Sequence, residues 1–145
     1  MPDASIIEVN AAVTARLEAL VDRLSDADRA RDLGGGWNVA VALAHLGFWD
    51  SRIAYLHQRW AGGGGPHEEL DDDVVNGALD PVIKLVEPRA AARLAVDAAK
   101  RADAAIASLP DAILAQIEAK DDLIYLIRRS GHRSEHIEQI ESALR

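Results

Sequence analysis

Apolar residues recur at helical spacing in two long segments of the first half of the chain. In the first segment they are Ile6, Val9, Val13, Leu17, Leu20 and Leu24. In the second they are Ala42, Leu46, Trp49, Ile53, Leu56 and Trp60. Because residues three or four positions apart share one face of an α-helix, each series predicts an amphipathic helix with one buried stripe.

Capping residues set the expected bounds of the first helix. Ser5 and Glu8 have the spacing of a capping box. In this motif the Ser5 hydroxyl accepts from the Glu8 backbone amide, and the Glu8 carboxylate accepts from the Ser5 backbone amide. We therefore expect this helix to run from about Ser5 to Leu24. The polar segment that follows, up to Gly34–Gly36, is expected to be a loop.

The second helix and the segment after it are bounded by similar signals. Asn38 is the expected N-cap, and the glycine run Gly62–Gly65 is expected to end the helix. The acidic run Glu68–Asp73 is either a solvated loop or the electronegative start of the next helix. That next helix, residues 72–86, is expected to be interrupted at Asp80–Pro81, since proline suits a first helical turn.

Two further long helices complete the pattern. An alanine-rich helix is predicted over residues 88–109, beginning at a proline, and a short helical turn is predicted over residues 113–117. Asp121–Asp122 are expected to cap the last helix, Leu123–Leu144. Four long amphipathic helices without a strand pattern predict an all-α fold: a four-helix bundle with an irregular crossover between the second and third long helices, forming one domain over residues 1–145.

Composition and charge exclude several functional classes. The chain has no cysteine, which excludes disulfide scaffolds, thiolate metal sites and a thiol nucleophile of its own. Its net charge of −8 argues against nucleic acid or an anionic membrane as a partner, since Lys and Arg clusters hold both. No apolar run is long enough to span a bilayer, and the first ten residues carry acids where a signal peptide has bases. We therefore expect a cytoplasmic protein.

The histidines are the candidates for chemistry. His132 and His136 lie four residues apart, so one helix face can direct both imidazoles to one metal ion. His45 lies about 40° from Trp49 around the second helix, within its apolar stripe. Two interpretations stay open at this point. Either His45 is a hydrogen-bonded core histidine and the other two are half-exposed, or the three form a metal site with open coordination positions.

Several short motifs together resemble the DinB-like superfamily, four-helix-bundle proteins that include the metal-binding domain of mycothiol-dependent maleylpyruvate isomerase. The resemblance covers nearly the whole chain and rests on Gly36-Trp37-Asn38-Val39, His45-Leu46 with Trp49-Asp50, Val75-Asn76, and His132-Arg133-Ser134-Glu135-His136. In that family a histidine of the second helix and an H-x-x-x-H pair of the last helix form a metal-binding triad. The resemblance therefore assigns the triad here to His45, His132 and His136.

The resemblance also implies an activity. It implies that zinc or nickel binds and that the protein transfers a low-molecular-weight thiol, such as mycothiol, to a small electrophilic substrate. Tyr125 and Arg129, on the same flank of the last helix, are candidate catalytic residues that orient the substrate. Asn76 is a candidate for substrate binding. Each has a plainer interpretation: a boundary aromatic for Tyr125, a surface charge for Arg129, and a helix cap or local hydrogen bond for Asn76.

The alternative function is a non-catalytic binding or stress-response module. Such a bundle would form a homodimer, or bind a ligand or another protein, without using a metal for chemistry. An exposed Trp37 or Trp60 at a helix end would favour an interface of this kind.

Overall fold

The computed structural model describes residues 2–63, 65–66 and 70–145. In chain order its elements are α1 (Ala4–Asp22), α2 (Asp26–Arg29), β1 (Asp32–Gly34), β2 (Trp37–Asn38), α3 (Val39–Ala61), α4 (Asp72–Ile83), α5 (Pro88–Ala107), α6 (Asp111–Glu118), a 3₁₀ helix (Asp121–Leu126) and α7 (Ser130–Ala143). None of the helices in these residues combines the length and apolar character that crossing a membrane requires.

The four long helices pack as a bundle in which α5 and α7 each contact both α1 and α3. This arrangement confirms the all-α bundle, and α4 lies in the crossover between α3 and α5. A close approach between α3 and α5 involves Gly47, where an added Cβ would lie 2.6 Å from Leu94 Cγ. The face of α5 is built from small buried residues that allow such an approach: Ala91, Ala92, Ala95, Ala98, Ala99 and Ala102.

A layer of polar side chains separates two apolar clusters along the bundle. This polar layer consists of Asn10 and Thr14 of α1, Asp50 of α3, Asp103 of α5 and Arg133 of α7. Arg133 is fully buried and donates to Asp50 Oδ2 at 2.8 Å and to Asp103 Oδ1 at 2.8 Å. The Thr14 hydroxyl accepts from Arg133 at 2.9 Å and donates to Asp103 at 2.6 Å. The layer thus connects all four long helices through hydrogen bonds to buried charges.

The start of α1 differs from the prediction. Asp3 is the N-cap and accepts from the Ser5 amide at 2.8 Å, so the expected capping box of Ser5 and Glu8 is wrong. The helix begins earlier because the Asp3 carboxylate already accepts from the Ser5 amide, and the Asp3 carbonyl accepts from the amides of Ile6 and Ile7. A capping box does form at α2, where Ser25 and Asp28 exchange two bonds of 3.0 Å.

The loop before α3 contains more structure than expected. The two short strands β1 and β2 pair antiparallel around Gly34–Gly36, whose φ angles of 86°, 61° and 81° lie in the left-handed region. Glycine adopts this region without steric cost, so the turn needs these residues. The turn leads directly to Asn38, which caps α3 as predicted by accepting from the Val41 amide at 2.9 Å.

In the crossover, α4 is continuous where an interruption was expected. It runs through Pro81 and ends two residues later, so the proline removes only one backbone hydrogen bond. Asp71 caps the helix by accepting from the amides of Asp73 and Val74. Asp71–Asp73, the second half of the acidic run, therefore form the start of a helix. Glu68–Glu69 lie outside the described residues.

The last predicted helix, Leu123–Leu144, is wrong as a single element. A 3₁₀ helix precedes α7, and Asp121–Asp122 make no capping bond to it. The Asn10 side chain causes the break because it donates to the Ile127 carbonyl at 2.8 Å and accepts from the Arg129 amide at 3.0 Å. These backbone groups would otherwise pair along a continuous helix. The break sets the direction in which Arg129 enters the bundle.

Candidate functional site

Three histidines converge at one side of the bundle. His45 comes from the second turn of α3, and His132 and His136 lie one turn apart at the start of α7. One ring nitrogen of each lies within 4.8 Å of the other two, and His45 Nε2 is 3.1 Å from His132 Nε2. The structure therefore brings together the three histidines that the sequence suggested as ligands.

Burial keeps two of these imidazoles neutral. His45 is 7% exposed, and burial, with His136 nearby, lowers its pKa to about 4. Burial and the Arg129 guanidinium lower the pKa of His132 to about 3. At neutral pH both rings therefore carry lone pairs, which is the form that coordinates a metal ion.

Hydrogen bonds orient the other ring nitrogens. His136 Nδ1 lies 3.0 Å from Gln139 Oε1, an acceptor, so Nδ1 is the donor in this contact and Nε2 is the ring nitrogen available to a metal. Arg129 Nη2 lies 3.4 Å from His132 Nδ1, and a guanidinium only donates. The His132 proton is therefore on Nε2 in this arrangement, facing His45. Coordination by both of these Nε2 atoms would require that proton to move to Nδ1 of His132 and the contact with Arg129 to open.

The donor set fits a divalent transition metal. Imidazole nitrogen suits zinc and nickel, and two tetrahedral ligands at a metal–nitrogen distance of roughly 2.1 Å lie roughly 3.4 Å apart. The 3.1 Å separation of His45 and His132 is close to that value. Three histidine ligands leave coordination positions open, as in catalytic rather than structural zinc sites.

Trp37 covers the triad from the α3 N-terminus. Its ring stacks on His136 at 6.2 Å between centroids, with an interplanar angle of 28°, and lies 5.1 Å from His45. Its indole N–H donates to Asp80 of α4 at 2.9 Å. Trp37 is half-buried and Trp60 is 7% exposed, so neither presents the exposed helix-end ring that would favour an interface.

A cavity of about 330 Å³ opens beside the triad. It is lined by His45, Trp49, Asp72, Asn76, Tyr125, Arg129 and His132. Two of the triad histidines and all three of the other candidates, Asn76, Tyr125 and Arg129, thus border one space. Asn76 reaches it from α4, where its Oδ1 accepts from the Trp49 indole at 3.0 Å.

Arg129 is buried rather than a surface charge. It is 4% exposed, donates from Nε to Asp50 Oδ1 at 2.9 Å, and donates from Nη1 to the Tyr125 carbonyl at 3.2 Å. Tyr125 stays at the boundary, 36% exposed, and burial raises the pKa of its phenol. The tyrosine is therefore protonated at neutral pH and is able to donate a hydrogen bond.

Asp50 and Arg133 stand in two of the short motifs quoted above, but no role was predicted for either. Asp50 is fully buried and bonds both Arg129 and Arg133, so it links the cavity wall to the polar layer. A signal was present, since Asp50 lies four residues after Leu46 and Arg133 four residues before Ile137, both on core stripes. A charge in such a position indicates a buried ion pair.

A sequence model of the DinB superfamily matches residues 11–140. This match runs from within α1 through most of α7 and includes every residue that lines the cavity. No curated protein and no solved structure matches the chain.

Proposed function

Since the chain belongs to the DinB superfamily and brings three histidines to the wall of a cavity, we propose that it is a divalent-metal-dependent enzyme acting on a small molecule in that cavity. The observation that carries the proposal is that His45 and His132 border the same space as Asn76, Tyr125 and Arg129. A structural metal site would need no such space.

Thiol transfer to an electrophile is the reaction class that we propose for this site. The sulfur forms a bond to the electrophilic carbon, and the thiol proton passes to the product or to the leaving group, so no oxidant or reductant is needed. The chain has no cysteine, so the thiol is a second, low-molecular-weight substrate such as mycothiol. A divalent ion held by the three histidines would lower the pKa of a thiol bound at one of its open coordination positions.

The chain's own residues would bind and orient the reactants. His45, His132 and His136 would hold the metal, with zinc or nickel favoured by an all-nitrogen set. The Tyr125 hydroxyl is a donor at the cavity boundary, suited to an oxygen of the electrophile. Arg129, which is itself held by Asp50, lies beside His132 and would form the cavity wall next to the metal.

Metal content tests the metal part of the proposal. The protein is purified without a polyhistidine tag, treated with EDTA, supplied with zinc or nickel chloride, desalted and measured by elemental analysis. We expect about one ion per chain in the wild type and almost none in His136→Ala. His67→Ala, which removes a histidine outside the triad, is the matched control and should retain the metal. No stoichiometric metal in the wild type, or equal metal in His136→Ala, would overturn the triad.

Turnover tests the thiol-transfer part separately. Conjugation of an electrophile such as 1-chloro-2,4-dinitrobenzene is measured with a panel of low-molecular-weight thiols, using metal-loaded wild type, EDTA-treated wild type and His136→Ala. Turnover is expected only in the metal-loaded wild type. If metal binds but no thiol supports turnover, the metal site stands and thiol transfer is rejected in favour of a binding module.

A further inference from the structure

The orientation of the Asn76 carboxamide is determined by its partner. The Trp49 indole N–H can only donate, so the atom that it contacts at 3.0 Å is the Asn76 oxygen. The Nδ2 protons of Asn76 are therefore left for another acceptor. Among residues 2–63, 65–66 and 70–145, none accepts from this group, and Nδ2 is not sealed from solvent. Because Asn76 lines the cavity, the structure leaves an oriented hydrogen-bond donor there.

We propose that Asn76 Nδ2 binds a neutral carbonyl oxygen of the substrate, so that the cavity takes a small carbonyl compound. The inference rests on the proposed function in one respect, namely that this cavity is the substrate site. It adds the chemical class of the substrate and the residue that recognises it.

The charges around the cavity favour a neutral acceptor over a carboxylate. Asp72 lies one helical turn before Asn76 on α4, lines the same cavity and is exposed. Its negative charge disfavours an anionic ligand beside Asn76. Arg129 is paired with the fully buried Asp50. Arg52, which lies 5.7 Å from the centroid of the Trp49 ring, supplies one positive charge against that of Asp72, so no net positive charge is left for a carboxylate.

The walls and the size of the cavity favour a small, partly aromatic molecule. The Trp49 and Tyr125 side chains supply aromatic surface on the lining. The volume of about 330 Å³ is at the small end of ligand pockets. The Trp49 ring also lies 6.4 Å from the His45 ring, so the bond to Asn76 places the carbonyl binder next to the triad.

Nitrogen–proton NMR spectra of the full chain test the inference, with acetophenone as the probe. Its isostere α-methylstyrene, in which a methylene group replaces the carbonyl oxygen, is the matched control ligand. The Asn76 amide signals are identified as those lost in Asn76→Asp. We expect acetophenone to shift these signals in a saturable way and α-methylstyrene to leave them in place. Equal binding of the two ligands would overturn the inference.

Asn76→Asp removes the donor while keeping an oxygen to accept from Trp49. We expect it to weaken acetophenone binding about tenfold, the loss of one good hydrogen bond. The double variant Asp72→Asn/Asn76→Asp restores the net charge and should stay equally weak. If the double variant regains wild-type affinity, the effect is one of charge, and the role of Asn76 as a donor is rejected. Tighter binding of benzoate than of acetophenone would reject the neutral class.

The titrations are run on EDTA-treated and on zinc-loaded protein, so the inference and the proposed function can fail separately. If the protein binds no zinc when zinc is supplied, but still prefers acetophenone to α-methylstyrene, the inference is supported and the metal-dependent enzyme is rejected. Stoichiometric metal without carbonyl selectivity would do the reverse.

Discussion

Replacing Asp50 by asparagine should strongly destabilise the fold, because this carboxylate is fully buried between two arginines. It accepts from Arg129 Nε at 2.9 Å and from Arg133 Nε at 2.8 Å. Asparagine keeps the shape but removes the charge, and its Nδ2 group would oppose one of the guanidinium donors. Breaking a buried ion pair by removing one partner costs about 3–5 kcal/mol. That is a large fraction of the roughly 5–15 kcal/mol by which a domain of this size is stable.

Urea denaturation followed by circular dichroism, in EDTA, measures this change in the free energy of unfolding. Urea is uncharged and so does not screen the ion pairs under test. Asp103→Asn should cost less than Asp50→Asn, since the side chain of Asp103 is 19% exposed. Asp97→Asn, an exposed position on the same helix, is the control and should change stability by less than about 0.5 kcal/mol. A loss below about 1 kcal/mol for Asp50→Asn would refute the reasoning.

Three further predictions follow from packing, titration and ligand binding. Gly47→Ala should cost about 1–3 kcal/mol, since its Cβ would meet the leucine of α5 at 2.6 Å, whereas Gly77→Ala, with nothing within 4 Å, should stabilise α4 by about 0.5–1 kcal/mol. Urea midpoints that move alike would contradict this. The EDTA-treated protein should lose stability as the pH falls below 6.5, because burial holds the pKa of His45 at about 4 and that of His132 at about 3, so the unfolded chain takes up protons first. Urea midpoints from pH 7.5 to 4.5 measure this, and a constant midpoint would argue against neutral buried rings. Zinc chloride should raise the Tm of the wild type by mass action but not that of His136→Ala, and equal shifts in a thermal melt would count against the triad.

The candidate site was predictable where local pattern determines it. The four-residue spacing of His132 and His136, and the place of His45 in an apolar stripe, follow from helical geometry alone. The plainer interpretation of Arg129, as a surface charge, is wrong because the side chain is 4% exposed. The arginine is buried because Asp50, which is 79 positions away in the sequence, supplies its counter-charge.

The sequence by itself determined the all-α bundle and most of its long helices, because periodicity, caps and glycine turns act over a few residues, while its residues alone left the role of the three histidines open. Only the tertiary structure decided where the last helix breaks, since the Asn10 side chain captures the Ile127 carbonyl from 117 residues away. It also decided the polar layer and the cavity. The Asn76 carboxamide has its orientation because the Trp49 indole, on another helix, donates to its oxygen. These features depend on contacts between side chains that are far apart in the sequence, and a local sequence pattern does not predict such contacts.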